Sequence, residues 1–506
     1  MLSKVKSFSL IGLKGVEIDV EVDISNGKPQ MTVVGLPDST IKESIERVSS
    51  AISNSGFFMP QKKIVVNLAP ADVKKEGSLF DLPMAIGILE SSMVLDSRVQ
   101  KYAMIGELSL DGRLRPVNGM LPLLISAKEM GCEKIIIPSG NIGEASYIEG
   151  IEAYAFENLK SVVGFLKGEI ESAPVKLEQW NKADFGVGED ISRVKGQYKA
   201  KRALEIAVAG GHNIMLVGAP GSGKTMLAKC VPTILPDLTF EEALEITKIH
   251  SIAGELDKES GVVKSRPFRS PHHSASSVAM TGGGKNAKPG EISLAHNGVL
   301  FLDEMPEFQK SLLETLRQPL EDGNITVSRA NITIQYPANF MLVASMNPCP
   351  CGNYGSRDLE CKCTPTQIDK YLKKLSGPLL DRIDLKIDVD RVEFNELRSE
   401  AGEETSETVK SRIDKARAIQ LERFKGEKNY TNAKMNSAQI KKYCEIDLIS
   451  EIALKNAFDK FKLSARGYSR ILKVARTIAD LSGSENIQKA HLMEAISYRT
   501  IEKYEL

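Results

Sequence analysis

Residues 218 to 225 read Gly218-Ala219-Pro220-Gly221-Ser222-Gly223-Lys224-Thr225, the spacing G-x-x-x-x-G-K-[ST]. Glycines so placed let successive main-chain N–H groups converge on one anion, and a helix starting there adds the positive end of its dipole. The flanks fit, since an apolar run, Ile214–Val217, comes before and a helical run, Met226–Leu235, comes after. Lys224 would then reach the β and γ phosphates of a triphosphate, and the Thr225 hydroxyl would ligate Mg²⁺.

Two further strand ends carry chemistry. Val299–Leu302 has the pattern of a buried strand and ends in Asp303 and Glu304. A parallel sheet presents its reactive groups at the C-terminal ends of its strands. Asp303 is therefore expected in the Mg²⁺ shell and Glu304 beside an attacking water. Alone, the pair also fits a solvated turn; beside the glycine loop it reads as the second half of an ATP site. Phe340–Ser345 is another apolar strand and leads to Asn347, whose amide could orient that water, although Asn at a strand end is commonly a turn residue.

Seven cysteines in 506 residues are too few for a disulfide framework. Four of them, Cys349, Cys351, Cys361 and Cys363, form C-x-C-x₉-C-x-C, with Pro350, Gly352, Gly355 and Pro365 supplying tight turns. Four thiolates suit tetrahedral Zn²⁺, which would brace the segment after Asn347. C-x-C is tighter than the common C-x₂-C, and redox thiols or disulfides are the alternative. Cys132, Cys230 and Cys444 are isolated and read as buried small apolar residues. His272 and His273 have no further ligand at metal spacing and read as polar loop residues.

These groups need an α/β scaffold. A helix is expected from about Tyr198, with Ala200, Ala203, Leu204, Ala207 and Val208 on one face and Gly210-Gly211 at its end. Ile325–Ser328 and Asn331–Gln335 alternate around a short turn and predict a β-hairpin within 325–335. From 391 to 506 the pattern is helical throughout, which suggests a separate lid. Residues 1 to 168 form another block, alternating over Gly15–Asp23 and Lys63–Leu68 and helical over Asp38–Ser53, so α/β or α+β. A stretch without periodicity, 169 to 188, links it to the phosphate-loop block at 189 to 390.

Lys plus Arg and Asp plus Glu both number 66, so the net charge is zero, which argues against bulk coating of nucleic acid. Apolar content of 42% and charged content of 26% exclude a disordered chain. No run approaches the roughly 18 apolar residues of a membrane span and no leader is evident, so a soluble cytoplasmic protein without a membrane partner is expected. The neutrality is an average. Residues 260 to 290 hold Lys264, Arg266, Arg269, Lys285 and Lys288 and no acid, whereas Glu393, Glu396, Glu400, Glu403, Glu404 and Glu407 crowd the start of the lid. With Gly282–Gly284 giving mobility, the basic segment reads as a loop that could meet a phosphate backbone; a solvated loop is the plain alternative.

Taken together, GAPGSGKT, FLDEMPEF at 301 to 308, SMNPCPCG at 345 to 352, SGPLLDRIDL at 376 to 385 and SARGYSRILKVARTIADL at 464 to 481 resemble the AAA+ ATPases. The resemblance is greatest to the magnesium-chelatase-like branch that includes ComM and the YifB-type proteins, and it runs from about residue 190 to 495. It implies a P-loop α/β core with a C-terminal helical lid, ATP and Mg²⁺ as cofactors, and assembly into homo-hexamers. It also implies a sensor-1 role for Asn347, an arginine-finger role for Arg382 and a sensor-2 role for Arg470. A guanidinium can accelerate phosphoryl transfer by about 10³ to 10⁵, and an Arg382 that points outward would complete a neighbour's site. A salt bridge to Asp381 or Asp384 is the alternative for Arg382. The branch carries two insertions in its core, which match the hairpin and the basic segment, the latter then facing a central pore.

Residues 67 to 140, notably KKEGSLFDLPMAIGIL at 74 to 89 and GELSLDGRLRPVNGMLPLLISAKEMGCEKIIIP at 106 to 138, resemble the proteolytic domain of Lon and the related ribosomal-S5-like fold. Lon uses a Ser–Lys dyad, in which a lysine takes the serine proton. Here those positions fall on Leu79 and Leu123, so the fold is expected without peptidase activity, as an interaction or DNA-contacting domain. The resulting expectation is a Mg²⁺-dependent ATPase that forms a ring-shaped DNA motor. It would migrate or unwind single-stranded or branched DNA, beside recombination proteins, in recombination and natural transformation. The competing class is a protein-remodelling or metal-insertion ATPase acting on a protein partner. The basic segment favours DNA, and no metal-dependent adhesion domain accompanies the ATPase.

Overall fold

Strands with one apolar face pair so that those faces coincide, and the first 70 residues show this directly. In the computed structural model, Lys14–Ser25 pairs antiparallel with Lys63–Ala69, setting Val20 opposite Leu68 and Val22 opposite Val66, all fully buried. The structure describes all residues except 1, 76, 182–187, 258–260, 285–286, 330–331, 357–358, 393–402, 428–429, 462, 500 and 502–506. Lys285, Asn331, Glu393, Glu396 and Glu400, singled out above, lie outside the described residues.

The chain forms two compact units, residues 1–181 with 240–263, and residues 182–239 with 264–506. The first is built on a seven-stranded mixed sheet in the order Gln30–Val34, Lys63–Ala69, Lys14–Ser25, Leu2–Ile11, Ala103–Met104, Lys134–Pro138, Glu152–Phe156. Helix Ser39–Asn54 starts at Asp38, whose carboxylate accepts the Ile41 N–H at 2.9 Å, and it buries Ile41, Val48 and Ile52 on one face as its spacing predicts. Leu79 and Leu123 join the same apolar cluster, Leu123 fully buried. Nearby, Ser78 donates to Glu107, and Lys75 donates to the Pro70 carbonyl. Helix Phe240–Ala253 belongs to this unit, with Ala243, Ile246 and Ile249 buried, although sequence alone leaves it inside the phosphate-loop block.

The second unit holds a five-stranded, all-parallel sheet in the order Phe268–Arg269, Val299–Leu302, Met341–Met346, Ile214–Val217, Leu385–Asp388. Helix Tyr198–Gly210 runs as expected and ends at Gly211, whose φ of +70° is the left-handed cap that glycine takes without strain. The hairpin also forms, Asn324–Arg329 against Ile332–Pro337, and Tyr336 is buried with its hydroxyl donating to the Ala287 carbonyl at 3.0 Å. Helices Ser406–Arg423, Ser437–Tyr443, Leu448–Lys460, Ala465–Leu481 and Lys489–Ser497 make up the C-terminal region. They pack against the sheet's own helices: Ile413, Ala416, Ile471 and Ala475 share one hydrophobic cluster with Leu204, Val208 and Leu227. No helix among the described residues is long and apolar enough to cross a membrane.

One buried carboxylate ties these helices together. Asp480, 2% exposed, accepts from both terminal nitrogens of Arg423 at 2.7 and 2.6 Å, from Arg476 Nε at 3.0 Å and from Asn432 Nδ2 at 2.7 Å. Removing it leaves two guanidiniums without their counter-charge in a dry site. Asp480→Ala is expected to cost about 3–5 kcal/mol, read as a lower urea midpoint with the far-ultraviolet circular dichroism of the native state preserved.

Candidate nucleotide-binding site

Three neighbouring strands end at one edge of the parallel sheet and deliver the site. After Val217 the chain turns through the glycine loop, with Gly221 at φ +77° and Gly223 at φ +91°, and enters helix Lys224–Ile234. At Gly218 a side chain would strike the Val389 carbonyl and the Ser222 hydroxyl, so close approach as well as turning requires glycine there. Lys224 is 8% exposed, and its ammonium donates to the Gly218 and Ala219 carbonyls at 2.8 and 2.9 Å and to Asn347 Oδ1 at 3.2 Å. Burial pushes this amine below its ordinary range, against the pull of Asp303 and Glu304. The structure thus brings Lys224 and Asn347 together across the sheet, 123 residues apart in sequence.

The half of the site around Asp303 is equally defined. Thr225 Oγ1 donates to Asp303 Oδ2 at 2.9 Å, the pair expected to hold Mg²⁺. Ser345 donates to the other Asp303 oxygen, and the Glu304 N–H donates to Asp303 Oδ1 and to Ser345 Oγ, each at 3.1 Å. Ser345 is a positioning residue that sequence reasoning missed; its signal is a lone hydroxyl in the otherwise apolar strand Met341–Met346, all of it buried. Glu304 adopts φ +50° and is exposed at the sheet edge. Held this way, the donors and carboxylates can take a Mg²⁺-triphosphate and leave Glu304 open to a water.

Arg382 and Arg470 lie elsewhere, in a cleft of about 280 Å³ that also includes Glu321, Arg466 and Lys473. Arg382 does not project. It is 5% exposed, pairs with Glu321, and donates to the Pro378 carbonyl at 2.7 Å. Neither partner anticipated from sequence is used, because Asp381 takes Arg499 at 3.2 Å and Asp384 takes Arg470. Burial would raise the Asp384 carboxyl, but Arg470 and then His212 beside it hold it below its ordinary range.

The basic segment is largely tied down, against the expectation of a free loop. Arg266 donates to the carbonyls of Pro236, Asn297 and Asp237 at 2.8, 2.8 and 3.2 Å. Arg269 sits on the edge strand and grips Glu291, one residue beyond the acid-free stretch, at 2.6 and 2.8 Å. Gly282 and Gly283 are buried and pair with Lys288–Pro289, whereas Gly284 is exposed. Lys288 is exposed and Lys264 half-buried. The rings of His272 and His273 lie 4.1 Å apart, tilted by 36°, the first exposed and the second half-buried, and His272 Nδ1 lies 2.7 Å from the Ser274 hydroxyl, as polar loop residues do.

The four clustered cysteines converge, with all Sγ atoms within 4.8 Å of one another, and could hold a metal. Cys230 and Cys444 are buried, and burial pushes their thiols up to about 11 and about 12, as expected of core residues; Cys132 is only half-buried.

Three family profiles match the chain in succession: subunit ChlI of Mg-chelatase over residues 20–141, magnesium chelatase subunit ChlI over 190–397, and the ChlI C-terminal region over 403–499. Competence protein ComM of Haemophilus influenzae is 46% identical, covering 99% of this chain and 98% of its own length. The chain belongs to the magnesium-chelatase ChlI-like family, in its ComM/YifB branch. YifB of Escherichia coli is 45% identical with the same two coverages. Lon protease 2 of Bacillus subtilis is 28% identical over 165 residues, 29% of each chain. The AAA+ and Lon-like resemblances carried by the motifs therefore stand, and with them an α/β P-loop fold ending in helices.

In the arginine cleft, Lys473 donates to the Ala433 carbonyl at 2.9 Å, and burial pushes its amine down to about 8 against the pull of Asp384, with Arg470 and Lys434 adding to the fall. The unfolded chain keeps that proton up to about pH 10.4 and so binds it more tightly than the folded one. This group's contribution to stability therefore rises between about pH 8 and pH 10.4. Lys473→Met is expected to flatten that slope, measured as the urea midpoint against pH relative to wild type.

Proposed function

We propose that this ComM/YifB-branch chain is a Mg²⁺-dependent ATPase that assembles into a homo-hexameric ring in the cytoplasm and drives branch migration or unwinding of DNA. The observation that carries the reading is the convergence of Lys224 on Asn347 and of Thr225 on Asp303 at one sheet edge. In that site the glycine loop and Lys224 hold the phosphates, Thr225 and Asp303 hold Mg²⁺, and Asn347 and Glu304 orient and polarise the lytic water. Arg382 and Arg470 share one cleft, so a single neighbouring subunit would receive both; Arg382 must exchange Glu321 for the neighbour's γ-phosphate. The four cysteines take a structural Zn²⁺.

Similarity to a competence protein supports a role in recombining incoming DNA, with single-stranded or branched DNA and recombination proteins as partners. The Lon-like unit, with apolar side chains at both dyad positions, serves as an interaction or DNA-contacting domain without peptidase activity. DNA contact falls to Lys264, Lys288 and Lys285, because Arg266 and Arg269 are spent inside the chain. That same loss of two free cations favours a second reading, a protein-remodelling or metal-insertion ATPase acting on a protein partner.

ATP hydrolysis and strand displacement, measured with single-stranded, duplex and four-way DNA, separate the two. Glu304→Gln is expected to keep ATP binding and lose hydrolysis by about 10² to 10⁴, whereas Lys224→Ala loses both. Lys264→Ala with Lys288→Ala should weaken DNA stimulation and shallow its salt slope by about 2, with ATP binding spared. Hydrolysis indifferent to every DNA, with no displacement, would select the protein-directed ATPase.

A further inference from the structure

Downstream of Asn347 the chain makes an excursion that returns to the same residue. It leaves through Cys349 and Cys351, comes back through Cys361 and Cys363, and enters helix Pro365–Leu372, which opens on a capping box between Thr364 and Gln367. Tyr371, buried in that helix, receives the Asn347 main-chain N–H on its phenol oxygen. Between exit and return, Gly352 sits at φ +81° against the ring of Pro220 in the phosphate loop, with no room for even a methyl group. The excursion therefore touches the ATP site twice, at Asn347 and at Pro220.

The sulfurs are arranged as ligands. Cys349 and Cys351 Sγ are 3.4 Å apart, and Cys361 Sγ lies 3.7 Å from each. The corners of a tetrahedron with Zn–S legs of about 2.3 Å are about 3.8 Å apart, whereas bonded sulfurs stand about 2.05 Å apart. Each sulfur also receives a main-chain N–H. Tyr354 donates to Cys349 at 3.3 Å, Asn353 and Lys362 to Cys351, Cys363 to Cys361, and Cys351 to Cys363. Such donors stabilise thiolates and form the outer shell that orients metal ligands. Four thiolates at this spacing repel one another unless a cation lies between them, and an all-sulfur tetrahedral set selects Zn²⁺ among the common hard and borderline metals.

We propose that Cys349, Cys351, Cys361 and Cys363 bind one Zn²⁺ that acts as a positioning element of the nucleotide site, holding Asn347 and Pro220 in the arrangement hydrolysis needs. The claim rests on the ATPase reading above. Lys224 and Thr225 keep their own contacts to Gly218, Ala219 and Asp303 without the metal. Loss of Zn²⁺ should consequently slow turnover far more than it weakens ATP binding.

The test combines metal analysis with steady-state kinetics on the full chain. Wild type should carry one Zn²⁺ per chain by mass spectrometry of the metal, replaceable by Co²⁺ with the visible absorption of a tetrahedral thiolate complex. Stripping with a chelator, followed by its removal and assay in Mg²⁺ buffer, should lower kcat on the order of tenfold or more with a much smaller change in KM for ATP. Added Zn²⁺ should restore it. Cys361→Ser with Cys363→Ser should show the same deficit without recovery, and Cys363→His should retain metal and turnover. If the double variant fails to fold, the stripped and reloaded wild type provides the same comparison. Absence of stoichiometric metal overturns the site. Unchanged kcat after stripping, or equal loss of kcat and ATP affinity, overturns the positioning role. A zinc-loaded wild type with no hydrolysis at all overturns the ATPase reading and the positioning role with it, and leaves the metal site standing.

Discussion

A buried ammonium must be surrounded by oxygens, and the second unit is organised by how Lys224 meets that demand. Two of its partners are carbonyls of the glycine loop; the third is Asn347, at the end of the adjacent strand. The bond to Asn347 forms only if Ile214–Val217 and Met341–Met346 lie side by side, parallel and in register, as they do with Val217 opposite Met346. The next strand, Val299–Leu302, then ends beside Thr225 and sets Asp303 against its hydroxyl. One constraint, three parallel strands ending at a common edge, thus places Lys224, Asn347, Thr225, Asp303 and Glu304 together.

The surrounding mass serves that edge. The C-terminal helices share the core of the sheet, and they also carry Arg470 to Asp384, just ahead of strand Leu385–Asp388. Gln420 donates to the Ala209 carbonyl at 2.9 Å and His212 lies 2.8 Å from Thr477, so polar contacts reinforce the apolar ones.

Much of this was legible in the residues. The glycine loop, the Asp303-Glu304 pair and Asn347 announce themselves because strand ends and tight turns demand particular residue types locally. Helix Tyr198–Gly210 and the hairpin follow from periodicity and turn chemistry. What escaped depends on contacts between distant segments. Glu291 neutralises Arg269 from outside the acid-free stretch, and the carbonyls of Pro236 and Asn297, which hold Arg266, carry no side-chain signature at all. Glu321 captures Arg382 from 61 residues away. Helix Phe240–Ala253 is apolar enough to pack on either unit, so its own pattern does not say which core takes it.

If Arg382 and Arg470 serve a neighbour while Lys224 serves its own subunit, each ATP site is made by two chains. Mixing two inactive proteins tests this most directly. Lys224→Ala and Arg470→Ala, each unable to hydrolyse ATP alone, should regain hydrolysis when combined, because some interfaces then pair an intact Lys224 with an intact Arg470. Arg382→Ala in place of Arg470→Ala should behave alike. A mixture no more active than its parts, with assembly verified by size, would contradict the shared site.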